Sequence, residues 1–176
     1  MTRFDFLGTL RTLVKHDVQF ILIGGLGARL HGSTTVTNDV DVCYARDQEN
    51  LERLASALRS LHARLRGVQD DVALVLDAQT LKAGDRFTFV TEMGSLDILG
   101  SPTGTTGYEE LEASSEEYDL GGFSVRVASL DDLIRMKRAS ARPKDLIELE
   151  VLGALRDELE LNERPGSRAR RSEPKT

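Results

Sequence analysis

The stretch Thr37-Asn38-Asp39-Val40-Asp41-Val42 holds the side chains best suited to do chemistry. Along a strand, residues two apart face the same side. Asp39 and Asp41 then share one face, and Val40 and Val42 the other. At ordinary strand rise the two aspartate Cα atoms sit about 6.5–7 Å apart. Like charges on one face of a buried-type strand repel each other and resist leaving water. A divalent cation relieves both penalties. Hard carboxylate oxygens suit Mg²⁺, which takes one or two protein carboxylates and completes its shell with phosphate oxygens and water; Mn²⁺ could stand in its place. Asp97 repeats the anomaly within Leu96-Asp97-Ile98-Leu99, otherwise a core strand. Three such carboxylates could hold two metal ions, or Asp97 could be the base that takes a hydroxyl proton. The plainer alternative places Asp39 and Asp41 at a strand's exposed edge.

Glycines surround this pair. Gly24-Gly25 follows an apolar run, and Gly32-Ser33 precedes the carboxylates. Glycine lets a backbone approach a phosphate, exposed N–H groups cradle it, and Ser33 adds a hydroxyl. Equally, these glycines could serve tight turns alone. Further on, Leu130, Leu133 and Ile134 define a helical apolar stripe whose next position is Lys137. An inward lysine wants an anion, such as a phosphate or Asp97, unless it snorkels out along its stem. Asp145 begins on the buried side of the last helix, or simply favours that helix's N-terminus. Arg142 and Lys144 bracket the same turn and are candidate phosphate or RNA contacts.

The elements that must position these groups follow from pattern. Phe6, Leu7, Leu10, Leu13 and Val14 predict a helix over 3–17, and residues 18–23 a strand buried on both faces. Gly24 and Gly25 end that strand, and 26–31 reads as a short helix closed by Gly32. Residues 39–44 form a second strand. Behind Asp47 as N-cap, Leu51, Leu54, Ala55, Leu58, Leu61 and Leu65 give one helical stripe. Residues 86–92 and 95–100 are strands joined onward by a flexible 100–107. Residues 119–129 form a strand, or two edges around Gly121-Gly122. Ser129 with Asp132 caps a helix to about 140, and Pro143 opens the last one, buried along Leu149, Leu152, Leu155 and Leu159. Strands and helices mix without a regular βα repeat. The expected class is α/β (α+β), one mixed sheet flanked by helices with a C-terminal helical part.

Bulk properties set bounds. The chain has 176 residues, a net charge of −6 and one cysteine, Cys43, so no internal disulfide forms. The expected layout is one domain over 1–162 and a basic, disordered tail over 163–176, where Arg164, Arg168, Arg170, Arg171 and Lys175 outnumber Glu163 and Glu173. The body is therefore more acidic than the whole, and a poor generic nucleic-acid binder. No apolar run reaches membrane-span length and no signal-peptide layout is present, which points to the cytoplasm. Cys43 reads as a buried thiol and His31 as structural. Arg53, Arg59, Arg64 and Arg66 read as the solvated face of a helix. A dinucleotide site fails, because Leu30 stands where the third glycine is needed and no acidic residue closes a second strand at the right distance.

The run from Gly24-Gly25 through Gly32-Ser33 to Asp39-x-Asp41 resembles the signature of the nucleotidyltransferase superfamily with the DNA polymerase β-like fold. Within it the chain is similar to the AbiEii/MenT-like group of toxins of toxin–antitoxin systems. The likeness covers residues 31–42, 50–67, 94–100 and 129–145. It implies an Mg²⁺-dependent enzyme that moves a nucleotidyl group from a nucleoside triphosphate to a hydroxyl. Gly32 and Ser33 would hold the triphosphate. Asp39, Asp41 and Asp97 would form the acidic, metal-binding set. Lys137 would neutralise phosphate, and Asp145 would be the fourth polar element. Many relatives carry Arg where this chain has Thr35, so that contact is either missing or supplied by Arg29, Arg142 or Lys144. The acceptor implied is a tRNA 3′ end, with a protein Ser, Thr or Tyr as the alternative, and an antitoxin protein as partner. A non-catalytic interaction protein retaining the fold is the competing class.

Overall fold

The computed structural model describes residues 4–68 and 75–163. Among the described residues seven strands form one sheet: β1 (Phe20–Ile23), β2 (Asp39–Tyr44), β3 (Arg64–Leu65), β4 (Arg86–Thr91), β5 (Gly94–Leu99), β6 (Glu116–Asp119) and β7 (Ser124–Val127). Their order across the sheet is β3-β4-β5-β2-β1-β7-β6. The β1–β7 and β2–β5 pairs are parallel, and the other four pairs are antiparallel. The described residues also form seven helices: α1 (Phe6–Lys15), α2 (Gly24–Leu30), α3 (Gln48–Ser60), α4 (Ala78–Ala83), α5 (Tyr108–Ser114), α6 (Leu130–Ser140) and α7 (Pro143–Glu163). This is the mixed, helix-flanked sheet that the irregular element order predicts.

Alternation along the strands divides the core in two. Phe20, Leu22, Val40, Val42, Tyr44, Phe89, Leu96 and Ile98 pack with α1, α3 and α4 on one face. Ile21, Ile23, Cys43 and Leu99 pack with α5, α6 and α7 on the other. Asp39 and Asp41 belong by parity to this second face. It therefore carries apolar side chains at one end of β2 and carboxylates at the other.

Local signals explain most helix starts. Asp5, Asp47, Asp77 and Ser129 each accept the backbone N–H three residues on, from Gly8, Asn50, Thr80 and Asp132. The buried Asn50 fastens α3 to the sheet. Its Oδ1 accepts from Gln19 N at 2.7 Å, and its Nδ2 donates to Gln19 O and Ala45 O at 3.0 and 2.8 Å. One side chain thus joins the segment before β1 to the residue after β2.

Several boundaries depart from the pattern. The first short helix starts at Gly24, directly after β1, rather than at 26. The leucine stripe ends with α3 at Ser60, and Leu65 lies in β3 instead. His62 takes a left-handed φ of 49° and turns the chain there without glycine or proline. Helices α4 and α5 have 6 and 7 residues, too short to show a full periodic stripe, and the pattern names neither. The segment 119–129 is not one strand: it holds the end of β6 and all of β7, which pair antiparallel around Gly121-Gly122, with β6 at the sheet edge and β7 inside, between β6 and β1. Helix α7 continues to Glu163, one residue past the expected domain end. The remainder of the expected disordered tail, 164–176, lies outside the described residues.

Candidate active site

Register brings the three aspartates to one face, on two adjoining rungs. Asp41 on β2 pairs with Asp97 on the parallel neighbour β5, and Asp97 pairs with Thr88 on β4. Asp41 also pairs with Ile23, the residue before Gly24. One rung across the sheet thus reads Thr88, Asp97, Asp41, Ile23. Asp39 occupies the next rung on the same face, opposite Ser95.

Above these rungs lies a cavity of about 490 Å³. Its polar wall includes Asp39, Asp41, Asp97, Thr88, Arg86 and Lys137. Gly24, Gly25 and Thr35 also border it, as do Arg142 from the α6–α7 turn and Glu148 from α7. A larger hollow of about 1150 Å³, lined by Arg59, His62, Arg64 and Glu92 among others, touches none of the three aspartates.

The carboxylates are electrostatically uncomfortable. Burial, then the charges of Asp97 and Asp39, push the Asp41 carboxyl from its ordinary value up to about 7, against the opposing pull of Lys137 and Arg86. The Oδ1 atom of Asp97 is buried and has no hydrogen-bond partner. A buried carboxylate oxygen without a donor is costly and fits a cation-binding role. Asp41 and Asp97, with Asp39 beside them, thus fit a hard divalent ion. Among the described residues, however, no three His, Cys, Asp or Glu side chains are gathered into a ready-made cage. That suits an ion that draws much of its shell from phosphate and water.

The cationic side is more tied down than the sequence suggests. The Lys137 ammonium donates to Asp145 Oδ1 at 3.1 Å and also contacts Glu148. Burial works against its charge, but the hydrogen bonds to Glu148 and Asp145 win and hold its pKa above the ordinary lysine value. Asp145 is fully buried. It accepts from Ser140 Oγ at 2.6 Å and pairs with Arg142 Nε at 3.3 Å. Burial opposes its ionisation, yet the Ser140 and Lys137 hydrogen bonds and the Lys137 and Arg142 charges hold its pKa below the ordinary value. Asp145 does not line the cavity; it anchors Lys137 and Arg142, which do.

The glycines divide differently from expectation. Gly32 and Ser33 lie outside the cavity lining. Ser33 is buried and its hydroxyl donates to Thr35 Oγ1 at 3.0 Å, so it shapes the 33–38 loop. Gly24 and Gly25 are the glycines at the carboxylates. Gly24 has a φ of 66°, and a Cβ there would collide with the Asp41 carboxylate. A Cβ on Gly25 would lie 2.8 Å from Thr37 Cβ. Arg29 is exposed and away from the lining, leaving Arg142 and Arg86 as cavity arginines. The side chain of Lys144 is not among those described.

Arg86, Thr88 and Glu148 were not foreseen. The alternation in Arg86-Phe87-Thr88-Phe89 shows that Arg86 and Thr88 share a face. Only strand pairing shows that the face is that of Asp97. Two other residues are as plain as expected. Burial pushes the Cys43 thiol up to about 12, and its Sγ contacts Gly100 O. His31 is held between Ala128 O and Tyr118 Oη at 2.8 and 3.1 Å.

No protein-family model and no curated protein sequence matches the chain. Solved structures do. The lincosamide antibiotic adenylyltransferase LnuA in its lincomycin-bound form is similar with a TM-score of 0.57 at 13% identity, covering 85% of this chain and 94% of LnuA. A candidate nucleotidyltransferase from Thermotoga maritima is similar with a TM-score of 0.50 at 17% identity, covering 93% and 97%. ANT(2'')-Ia in complex with adenylyl-2''-tobramycin gives 0.50 at 16%, covering 89% and 95%. Among the described residues no helix is long and apolar enough to cross a membrane. At these identities the shared property is architecture: the chain has the nucleotidyltransferase fold.

Proposed function

We propose that the protein transfers a nucleoside monophosphate from a nucleoside triphosphate to a hydroxyl acceptor. The observation that carries this reading is the rung pairing Asp41 with Asp97, one oxygen of which is buried without a donor, beneath a cavity walled by Arg86, Lys137 and Arg142. Asp41 and Asp97, assisted by Asp39, would hold Mg²⁺ or Mn²⁺. Bound there, the ion would neutralise triphosphate charge and favour the ionised hydroxyl. Lys137 and Arg142, preset by Asp145, would meet the phosphates. Gly24 and Gly25 keep the backbone thin enough for a phosphate to lie beside Asp41. The acceptor oxygen bonds to the α-phosphorus, the bridging bond to the β-phosphate breaks, and pyrophosphate leaves with the electron pair. A carboxylate oxygen of Asp97 that the ion leaves unengaged would take the hydroxyl proton.

The acceptor we propose is the 3′ end of a tRNA, in a toxin of a toxin–antitoxin pair acting in the cytoplasm. The supporting feature is the likeness of residues 31–42 and 129–145 to that toxin group. The test is incubation with each labelled nucleoside triphosphate and Mg²⁺ in the presence of tRNA, of lysate protein, or of a lincosamide or aminoglycoside. Asp41→Ala is expected to abolish labelling while keeping the circular-dichroism spectrum and cooperative unfolding of the parent. Undiminished labelling in that variant would remove the carboxylate mechanism. Labelling of protein or antibiotic alone would replace the acceptor and keep the reaction.

A further inference from the structure

The carboxylate face does not end at Thr88. Toward β3 it is open: Arg64, Arg66, Arg86 and Val90 are all exposed. Arg64 pairs with Val90, and the Arg66 amide donates to Thr88 O at 2.9 Å. Arg86 lies two residues before Thr88 on the same side of β4. The three arginines therefore stand at successive same-face levels of β4, each about 7 Å from the next along the strand direction. The middle one extends the catalytic rung, which becomes Arg66, Thr88, Asp97, Asp41. The Arg66 guanidinium leans toward β5 and donates to the neutral Ser95 hydroxyl at 2.6 Å. Arg86 lines the cavity and acts on Asp41 through its charge, with no ion pair among the described residues.

These cations lie on the opposite side of Asp97 from Gly24, while Lys137 and Arg142 are anchored to Asp145 on the α6–α7 turn. In an in-line displacement the leaving pyrophosphate and the incoming hydroxyl occupy opposite sides of the α-phosphorus. With the helical cations serving the triphosphate, the β3–β4 arginines fall on the acceptor side. A row of guanidinium groups in an otherwise acidic chain, net charge −6, matches a polyanionic backbone. A neutral small acceptor would have no use for it.

We propose that Arg64, Arg66 and Arg86 form a track for the phosphodiester backbone of a single-stranded nucleic-acid acceptor, delivering its terminal hydroxyl to Asp97 and Asp41. The proposal rests on the nucleotidyl-transfer reading above and assigns the acceptor's binding surface. The test is equilibrium binding of a short single-stranded RNA to the full chain across a salt series, without nucleotide, alongside initial rates with tRNA. Each of Arg64→Gln and Arg66→Gln is expected to weaken RNA binding several-fold whatever the sequence. Each should also flatten the slope of log affinity against log salt by about 0.7. The KM for tRNA should rise, while the KM for nucleotide stays within about twofold, a uniform-binding effect confined to one substrate. Arg53→Gln, a control on α3, should leave the slope alone. Melting temperatures will confirm that each variant is folded. An unchanged slope in the Arg64→Gln/Arg66→Gln double variant overturns the track, as does a parent protein that labels lysate protein and shows no salt-dependent RNA affinity. A parent that binds RNA through these arginines yet transfers nothing from any nucleotide defeats the transfer reading and upholds the track.

Discussion

A methyl group at position 24 would enter the space of the Asp41 carboxylate, and the backbone there has a φ of 66°. Both facts make Gly24 a residue whose effect reaches the chemistry through Asp41. Gly24→Ala is expected to cost about 1–2 kcal/mol of stability, from the left-handed backbone alone. It should lower nucleotidyl transfer by far more than the unfolded fraction explains, because Asp41 must turn aside. Urea denaturation with parallel rate measurements separates the two effects. A Cβ at Gly25 would press on Thr37, whereas one at Gly32 would meet the end of the Leu155 side chain at 3.6 Å, away from the carboxylates. In the sequence Gly24-Gly25 and Gly32-Ser33 look alike as phosphate-binding turns. Their roles differ because α2 starts at Gly24, opposite the Asp41 rung.

At the scale of elements, the short helices show how much pattern can carry. Helices α1, α3 and α6 announce themselves through a capping side chain and a one-sided apolar stripe. Helix α4 has its cap, Asp77, but only Ala78 and Leu81 buried. A stripe of two residues is indistinguishable from chance. Helix α7 runs 21 residues, and its apolar positions are not confined to one side: Leu152 is buried while Leu146 and Ile147 are exposed. Gly153 sits within it, with nothing within 4 Å of where a Cβ would stand. Glycine inside a helix costs backbone entropy without a packing return here. Gly153→Ala is expected to raise stability by about 0.5–1 kcal/mol, read as a shift in the urea midpoint at unchanged slope.

For the whole molecule, placing like charges together makes stability depend on pH. Asp41 titrates near 7 in the folded protein, against an ordinary carboxyl value of 3.8. Between those limits the folded chain keeps a proton that the unfolded chain has released. Metal-free stability attributable to Asp41 is therefore fully present below about 4 and lost as pH rises through 7, on the order of 4 kcal/mol. Asp41→Asn should remove this dependence: its stability relative to the parent rises from pH 5 to pH 7.5 in EDTA. Excess Mg²⁺ should offset the parent's loss at the upper pH and weaken as an offset below about 7, where protons compete for the carboxylate. By itself the sequence determined the carboxylate pair Asp39 and Asp41, the intrusive Asp97, the mixed sheet and the helices that carry caps and stripes. Each of these is written in local spacing, which fixes which side chains share a face. Only the tertiary structure decided that Asp41 and Asp97 occupy one rung, that Asp145 restrains Lys137, and that Arg64, Arg66 and Arg86 line up on the β3–β4 side of Asp97. For the rung and the arginine row the cause is pairing between strands, set by the packing of both sheet faces, and for Lys137 it is the angle at which the α6–α7 turn folds one helix on the other; neither leaves a trace in local spacing.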